Sequence, residues 1–361
     1  GLTDDIPVLL SKFGNLRVSG RSAGGSSRFL LEGQVRRSGR MVRISATLID
    51  TRDGTHMWSE HVDRGLDADM FALQDEVAGR IVATLGDQTG VLTRAIAEAA
   101  ADTPYDQRSI LELVASYCVY TEHFRADEHA RLRDALEQAV TREPRAAEAW
   151  AVLSHLYAAE ATHQLNPRPN SRERQRDAAQ RAVELNPRSQ QAWMAMASYH
   201  HFARDLAALR HAVDRVVALN PLHADLVARA ALYIELAGDV ARGAELARAA
   251  MARKPTCPGW YHFPIFDWHF TRGEFEEALH AAKAISLPNL PTADLGAASA
   301  AGHLGRVADA RAALNALRAI DPALAEPETA REVWARWHWS EERIAQLVDG
   351  FRKAVQLDAQ R

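Results

Sequence analysis

The chain has 361 residues, 47% hydrophobic and 25% charged, with a net charge of −4, which excludes wholesale disorder and a surface built to coat nucleic acid or an anionic membrane. No run approaches ~18 uninterrupted apolar residues, so no membrane span is expected, and residues 1–6 lack the basic-then-apolar order of a secretory leader. Cys118 and Cys257 stand far apart and read as free thiols of a reducing, cytoplasmic compartment.

Residues 1 to 64 mix Gly, Ser and β-branched residues, and the Ser-rich stretch 19–27 reads as a loop. Gly24-Gly25 is not a phosphate cradle, because no Lys follows and no helix starts there. Runs 29–37 and 41–50 flank Ser38-Gly39, which reads as a hairpin turn. In the second run Val42, Ile44, Ala46 and Leu48 alternate with Arg43, Ser45 and Thr47, the pattern of a half-buried strand. A turn at Asp53-Gly54 leads into a third strand over 55–59, completing an antiparallel meander. Such a sheet cannot bury its apolar face alone. Residues 66–85 supply the covering helix, with Met70, Leu73, Val77, Ile81 and Leu85 at helical spacing and Asp67 and Asp69 at its N-terminal end. Arg36, Arg37, Arg40 and Arg43 cluster on the hairpin without interleaved aromatics, so they read as a solvated face and no nucleic-acid partner is expected.

From residue 66 the chain turns to Ala, Leu, Arg and Glu, the composition of helices. Prolines close successive helices at 144, 187, 221, 255, 288 and 322, with spacings of 43, 34, 34, 33 and 34. A residue before proline is pushed out of the α region, so each such pair ends a helix. Trp150, Leu153 and Tyr157 stand in W-x2-L-x3-Y order, and Trp193, Met196 and His200 take the same places one unit later. Gly238, Gly273 and Gly305 mark turns between paired helices. The longer second unit places a loop over 162–170, where Pro167 and Pro169 forbid helix.

These residues resemble the tetratricopeptide repeat (TPR) family over about 107–322. The resemblance implies a mainly α fold, a right-handed α-solenoid of six helix pairs whose first helices line a concave groove, capped by helices over 323–361. The segments 30–39, 42–50, 54–58 and 71–75, with the opening Gly1-Leu-Thr-Asp-Asp-Ile6, are similar to the TolB amino-terminal-like domain of proteobacterial TPR proteins. That second resemblance covers residues 1–100 and implies a small α+β lobe. In that family the lobe and array usually follow a class III nucleotide cyclase domain or a winged-helix DNA-binding domain.

Catalytic constellations are missing from the text: no P-loop, no G-x-S-x-G elbow, no H-E-x-x-H and no C-x-x-C. The expectation is a non-enzymatic protein-interaction module without cofactor or metal, holding a partner peptide or helix in the groove. The rival is the regulatory C-terminal region of a nucleotide cyclase or transcriptional regulator. Counting from Trp150 and Trp193 as the fourth residue of the first helix, TPR proteins face positions two, five, nine, twelve and thirteen inward. Carried over, this gives His155, then Gln191, Met194, Ser198 and His201, then Asp225 and Glu235, then His262, Phe266 and His269, and finally His303. No Lys or Arg falls on that count, so the groove is expected to anchor an apolar and hydrogen-bonding segment near Phe266. Its histidines are expected to make affinity vary between pH ~5 and ~7.

Overall fold

The computed structural model describes residues 2–13, 16, 18, 19, 27–65, 70–285, 291–337 and 339–360. Asp67, Asp69, Pro288 and most of the Ser-rich stretch lie outside these residues.

The chain opens with α1 (Leu2–Leu10), a helix that the sequence hides because Pro7 sits inside it. Strands β1 (Phe29–Ser38), β2 (Met41–Asp50) and β3 (Thr55–Gly65) form one antiparallel sheet in that order. Ser38 pairs with Met41, so the hairpin turn is Gly39-Arg40, one residue later than expected. Gly39 takes φ +58°, which only glycine adopts freely. The alternation in β2 holds: Val42, Ile44, Ala46 and Leu48 are buried while Met41 and Arg43 are exposed. Val77, Ile81 and Leu85 of α2 (Met70–Gly86) cover that face together with Leu10 and Phe13.

Among the described residues sixteen helices follow the sheet. After α3 (Val91–Ala99) come six pairs: α4 (Ile110–Tyr120) with α5 (Ala126–Arg142), α6 (Ala147–Thr162) with α7 (Ser171–Leu185), α8 (Gln190–Phe202) with α9 (Leu206–Leu219), α10 (Ala224–Leu236) with α11 (Val240–Arg253), α12 (Phe263–Thr271) with α13 (Phe275–Ala284), and α14 (Thr292–Leu304) with α15 (Val307–Ile320). The fold is a helical-repeat solenoid, and no strand occurs in the array among the described residues.

The prolines act through the residue before them. Glu143, Asn186, Asn220, Lys254 and Asp321 each end a helix with φ between −126° and −155° and positive ψ. Pro144, Pro187, Pro221 and Pro255 open short turns instead of the next helix, whereas Pro322 does open a 3-10 turn. The Trp150 indole N–H donates to the Pro144 carbonyl at 3.1 Å, and Trp193 repeats this with Pro187 at 2.9 Å. Trp150 is therefore half-buried against the turn, not enclosed in the repeat interface as Tyr157 is.

The terminal helices α16 (Pro327–Arg336) and α17 (Glu341–Ala359) do more than cap the end. α17 crosses α14 at Gly302 and Gly350, where a Cβ on either residue would collide with the other helix's backbone. Trp337, Trp339 and Arg343 reach back to the inner face of earlier pairs. His201 Nε2 lies 3.0 Å from the Trp337 carbonyl, and Arg343 pairs with Glu235 and Asp267.

Candidate functional site: an aromatic cavity on the inner face

The first helix of every pair contributes to one cavity: Tyr117 from α4, His155 from α6, Phe202 from α8, Arg229 from α10, Phe266 from α12 and Gly296 from α14. Trp260, Phe263, Trp334, Trp337 and Trp339 complete an aromatic wall, and no Asp or Glu is among the lining residues. The cavity holds about 150 Å³, a compact space with the mostly apolar lining and few placed polar groups of a small-molecule site.

The polar groups here are few and specific. His155 stacks on Tyr117, with ring centroids 6.0 Å apart and planes 10° from parallel. The Tyr117 hydroxyl accepts from Arg229 Nη1 at 3.2 Å. Burial, aided by the Arg229 charge, pulls the His155 imidazole down to about 3, so it is neutral at ordinary pH. Its Nε2 has no hydrogen-bond partner among the described residues. His163, at the cavity edge against Trp337 (5.4 Å between centroids), is held by burial and then by His129 at about 4.

Of the eleven residues expected in the groove, His155 and Phe266 line this cavity. Two others are covered by the connection between α2 and α3. Gln88 Nε2 donates to Gln191 Oε1 at 2.6 Å, and the Thr89 N–H donates to Asp225 Oδ2 at 2.7 Å. Three more are engaged by the C-terminal segment: His201 through the Trp337 carbonyl, Glu235 through Arg343, and His303 Nε2 through the Gln346 carbonyl at 3.1 Å. Met194 is buried in the core between α8 and its neighbours. Ser198 is also buried, and its Oγ accepts from Tyr233 at 3.0 Å and Gln175 at 3.3 Å. His262 and His269 line a separate open groove with Arg248, Met251, Ile265 and His280, and His269 Nδ1 lies 2.7 Å from Glu274.

Two expectations are corrected. The inner face does carry a cation, Arg229. It stands one residue beyond the fifth position of its helix, so the family count passes over it. Its spacing with Leu232, Tyr233 and Leu236, at i+3, i+4 and i+7, would have placed it on the lining face. The inner-face histidines also cannot all titrate between pH 5 and 7, since His155 is held near 3 and burial, then His280, lowers His262. Among the described residues no three His, Cys, Asp or Glu side chains converge to hold a metal ion, and no helix is long and apolar enough to cross a membrane.

No family model matches the chain. Over 101 residues it is 41% identical to a Rhizobium meliloti (strain 1021) protein named "Putative adenylate cyclase 3". The match takes in 24% of this chain and only 17% of that protein's length. Among solved structures, "Human IFIT1 dimer with m7Gppp-AAAA" is similar at TM-score 0.51 with 14% identity, over 80% of this chain and 68% of that one. At that identity the likeness concerns the helical-repeat fold alone.

Proposed function

We propose that this chain is a non-enzymatic binding module. In this reading residues 107–322 are a TPR array, residues 1–100 a TolB amino-terminal-like lobe docked on it, and residues 323–361 a closing segment. One observation carries the reading: all six first helices converge on a single aromatic-lined cavity that the C-terminal segment borders. Aromatic anchors in a desolvated pocket are the usual energetic centre of a protein interface. The partner segment enters with an apolar or aromatic side chain next to Phe266, and the remaining predicted contacts serve once the Trp337 segment moves aside. Selection of phage-displayed peptides on the full chain tests this. Enriched peptides should bind wild type and lose affinity to Phe266→Ala with the helical spectrum unchanged. Failure to enrich any sequence, or full binding by the variant, would refute the reading.

A second reading is supported by the relative named an adenylate cyclase: the chain is the regulatory C-terminal region of a nucleotide cyclase or transcriptional regulator. Sequencing the coding region upstream of Gly1 addresses it directly. A catalytic or DNA-binding domain there, whose activity changes when residues 1–361 are deleted, is the expected result. An upstream region encoding neither would sink it.

A further inference from the structure

We propose that the inner-face cavity is a binding site for a small organic anion, an aromatic acid whose flat body stacks within the tryptophan and phenylalanine wall while Arg229 and His155 hold its oxyanion. The charge argument is comparative. Arg133 is buried beside Glu160 at 2.9 Å, and Arg343 beside Glu235 and Asp267. Arg108 has no carboxylate partner among the described residues but donates to Thr103 O, Ser116 Oγ and Ala101 O. Arg229 makes one hydrogen bond, to a neutral phenol, and has no carboxylate partner among the described residues. The Trp260 ring centroid lies 5.7 Å from its guanidinium carbon. A guanidinium carries five donors, and half-buried Arg229 has one of them matched, to Tyr117, which leaves the others turned to the open cavity for a ligand.

His155 supplies the second, independent observation. It is 6% exposed, lines the same cavity, and presents an unpartnered Nε2. Tyr117 connects the two groups, under the His155 ring on one side and at Arg229 on the other. A planar oxyanion matches a guanidinium fork in two parallel hydrogen bonds, and a neutral imidazole adds a third partner without a competing charge. The mouth is bordered by Trp337 and Trp339, so the occupant proposed for the closed arrangement is a small molecule. That segment is fixed by His201 through the Trp337 carbonyl and by Arg343 lying over the Trp339 ring at 4.4 Å. An extended polypeptide crossing the array would have to displace it, whereas a compact acid would not.

The test compares two fluorescent probes of nearly equal body on the full chain: 8-anilinonaphthalene-1-sulfonate, which is anionic, and N-phenyl-1-naphthylamine, which is neutral. Wild type should bind the anion at one site at least about tenfold more tightly than the neutral probe, the worth of one charge-assisted contact. In Arg229→Gln the two affinities should converge. Ala159→Phe fills the cavity and leaves Arg229 in place, so it should lose both probes while keeping its circular dichroism. Equal wild-type affinities, a preference that survives Arg229→Gln, or undiminished binding by folded Ala159→Phe would each overturn the proposal. If Arg229→Gln does not fold, the wild-type ratio and Ala159→Phe still decide. The proposal is independent of the peptide reading: failure here leaves peptide selection untouched, and failed peptide selection leaves the anion preference untouched.

Discussion

At each end of the inner face two buried carboxylates meet one cation, and the two ends settle the surplus negative charge differently. Where the N-terminal lobe docks, Lys254 Nζ lies 2.9 Å from Asp225 and 3.5 Å from Asp87, and His223 Nδ1 lies 2.9 Å from Asp87. Burial pushes Asp225 up, but Lys254, Tyr261, His223 and Thr89 outweigh it and leave the carboxyl at about 2. Asp87 is raised, first by burial and then by the Asp225 charge. Where the C-terminal segment docks, Arg343 alone serves Glu235 and Asp267. Burial and then Asp267 push Glu235 well above the usual carboxylate range, so it keeps its proton. The carboxylates beneath the lobe are thus served by several donors sharing the load, and those beneath the closing segment by one arginine and a proton.

The comparison predicts that the C-terminal contact breaks more easily. Arg343→Ala strands a buried carboxylate and should cost about 3–5 kcal/mol in urea unfolding, with Trp fluorescence reporting release of the Trp337 segment. A loss under about 1 kcal/mol would mean that protonation alone settles the pair. Lys254→Ala should cost less, about 1–3 kcal/mol, because Tyr261, Thr89 and His223 remain on the two aspartates. A larger loss than for Arg343→Ala would reverse the ranking.

Acid and base sharpen the same contrast. Glu235 has a folded pKa above its unfolded value, so its stabilising share is complete below about pH 4.5 and is lost as pH rises through the folded pKa. Glu235→Gln keeps a neutral side chain and should flatten that decline, which proceeds at no more than about 1.4 kcal/mol per pH unit. His155 works in the opposite direction. Its folded pKa of about 3 lies below the unfolded value, so its share is full above about pH 6.5 and fades as pH falls towards 3. His155→Phe should therefore flatten stability on the acid side of pH 6.5, and an unchanged acid slope would mean that His155 is protonated in the fold. The smallest expected effect lies far from either end. Trp150→Phe and Trp193→Phe remove matching indole–carbonyl bonds at half-buried sites and should each cost about 0.5–1.5 kcal/mol in thermal unfolding. Values several times larger would mean that the rings carry the repeat interface after all.

Much of the framework is written locally. Helix ends follow from the residue before proline at 143, 186, 220, 254 and 321, the hairpin from Gly39, and the buried face of β2 from its alternation. These rest on backbone sterics and side-chain periodicity within a few residues. The position count carried over from the TPR resemblance brought His155 and Phe266 to the inner face. It missed Arg229, because a count carried over from a family sets the phase of a helix less well than the helix's own spacing does.

Which inner-face residues stay open was decided only by the tertiary structure. Thr89 reaches Asp225 and Trp337 reaches His201 across 136 residues each, and Arg343 reaches Glu235 across 108. No local preference encodes such partners. They meet because the solenoid curves its six first helices around one space, the C-terminal segment returns to border it, and the connection between α2 and α3 reaches Asp225. That closure covers Asp225, Glu235 and His201, and leaves Arg229 facing an aromatic cavity without a carboxylate among the described residues. A charge's chemistry is set by what lies within a few ångströms of it, and for these residues nearly all of that comes from distant chain.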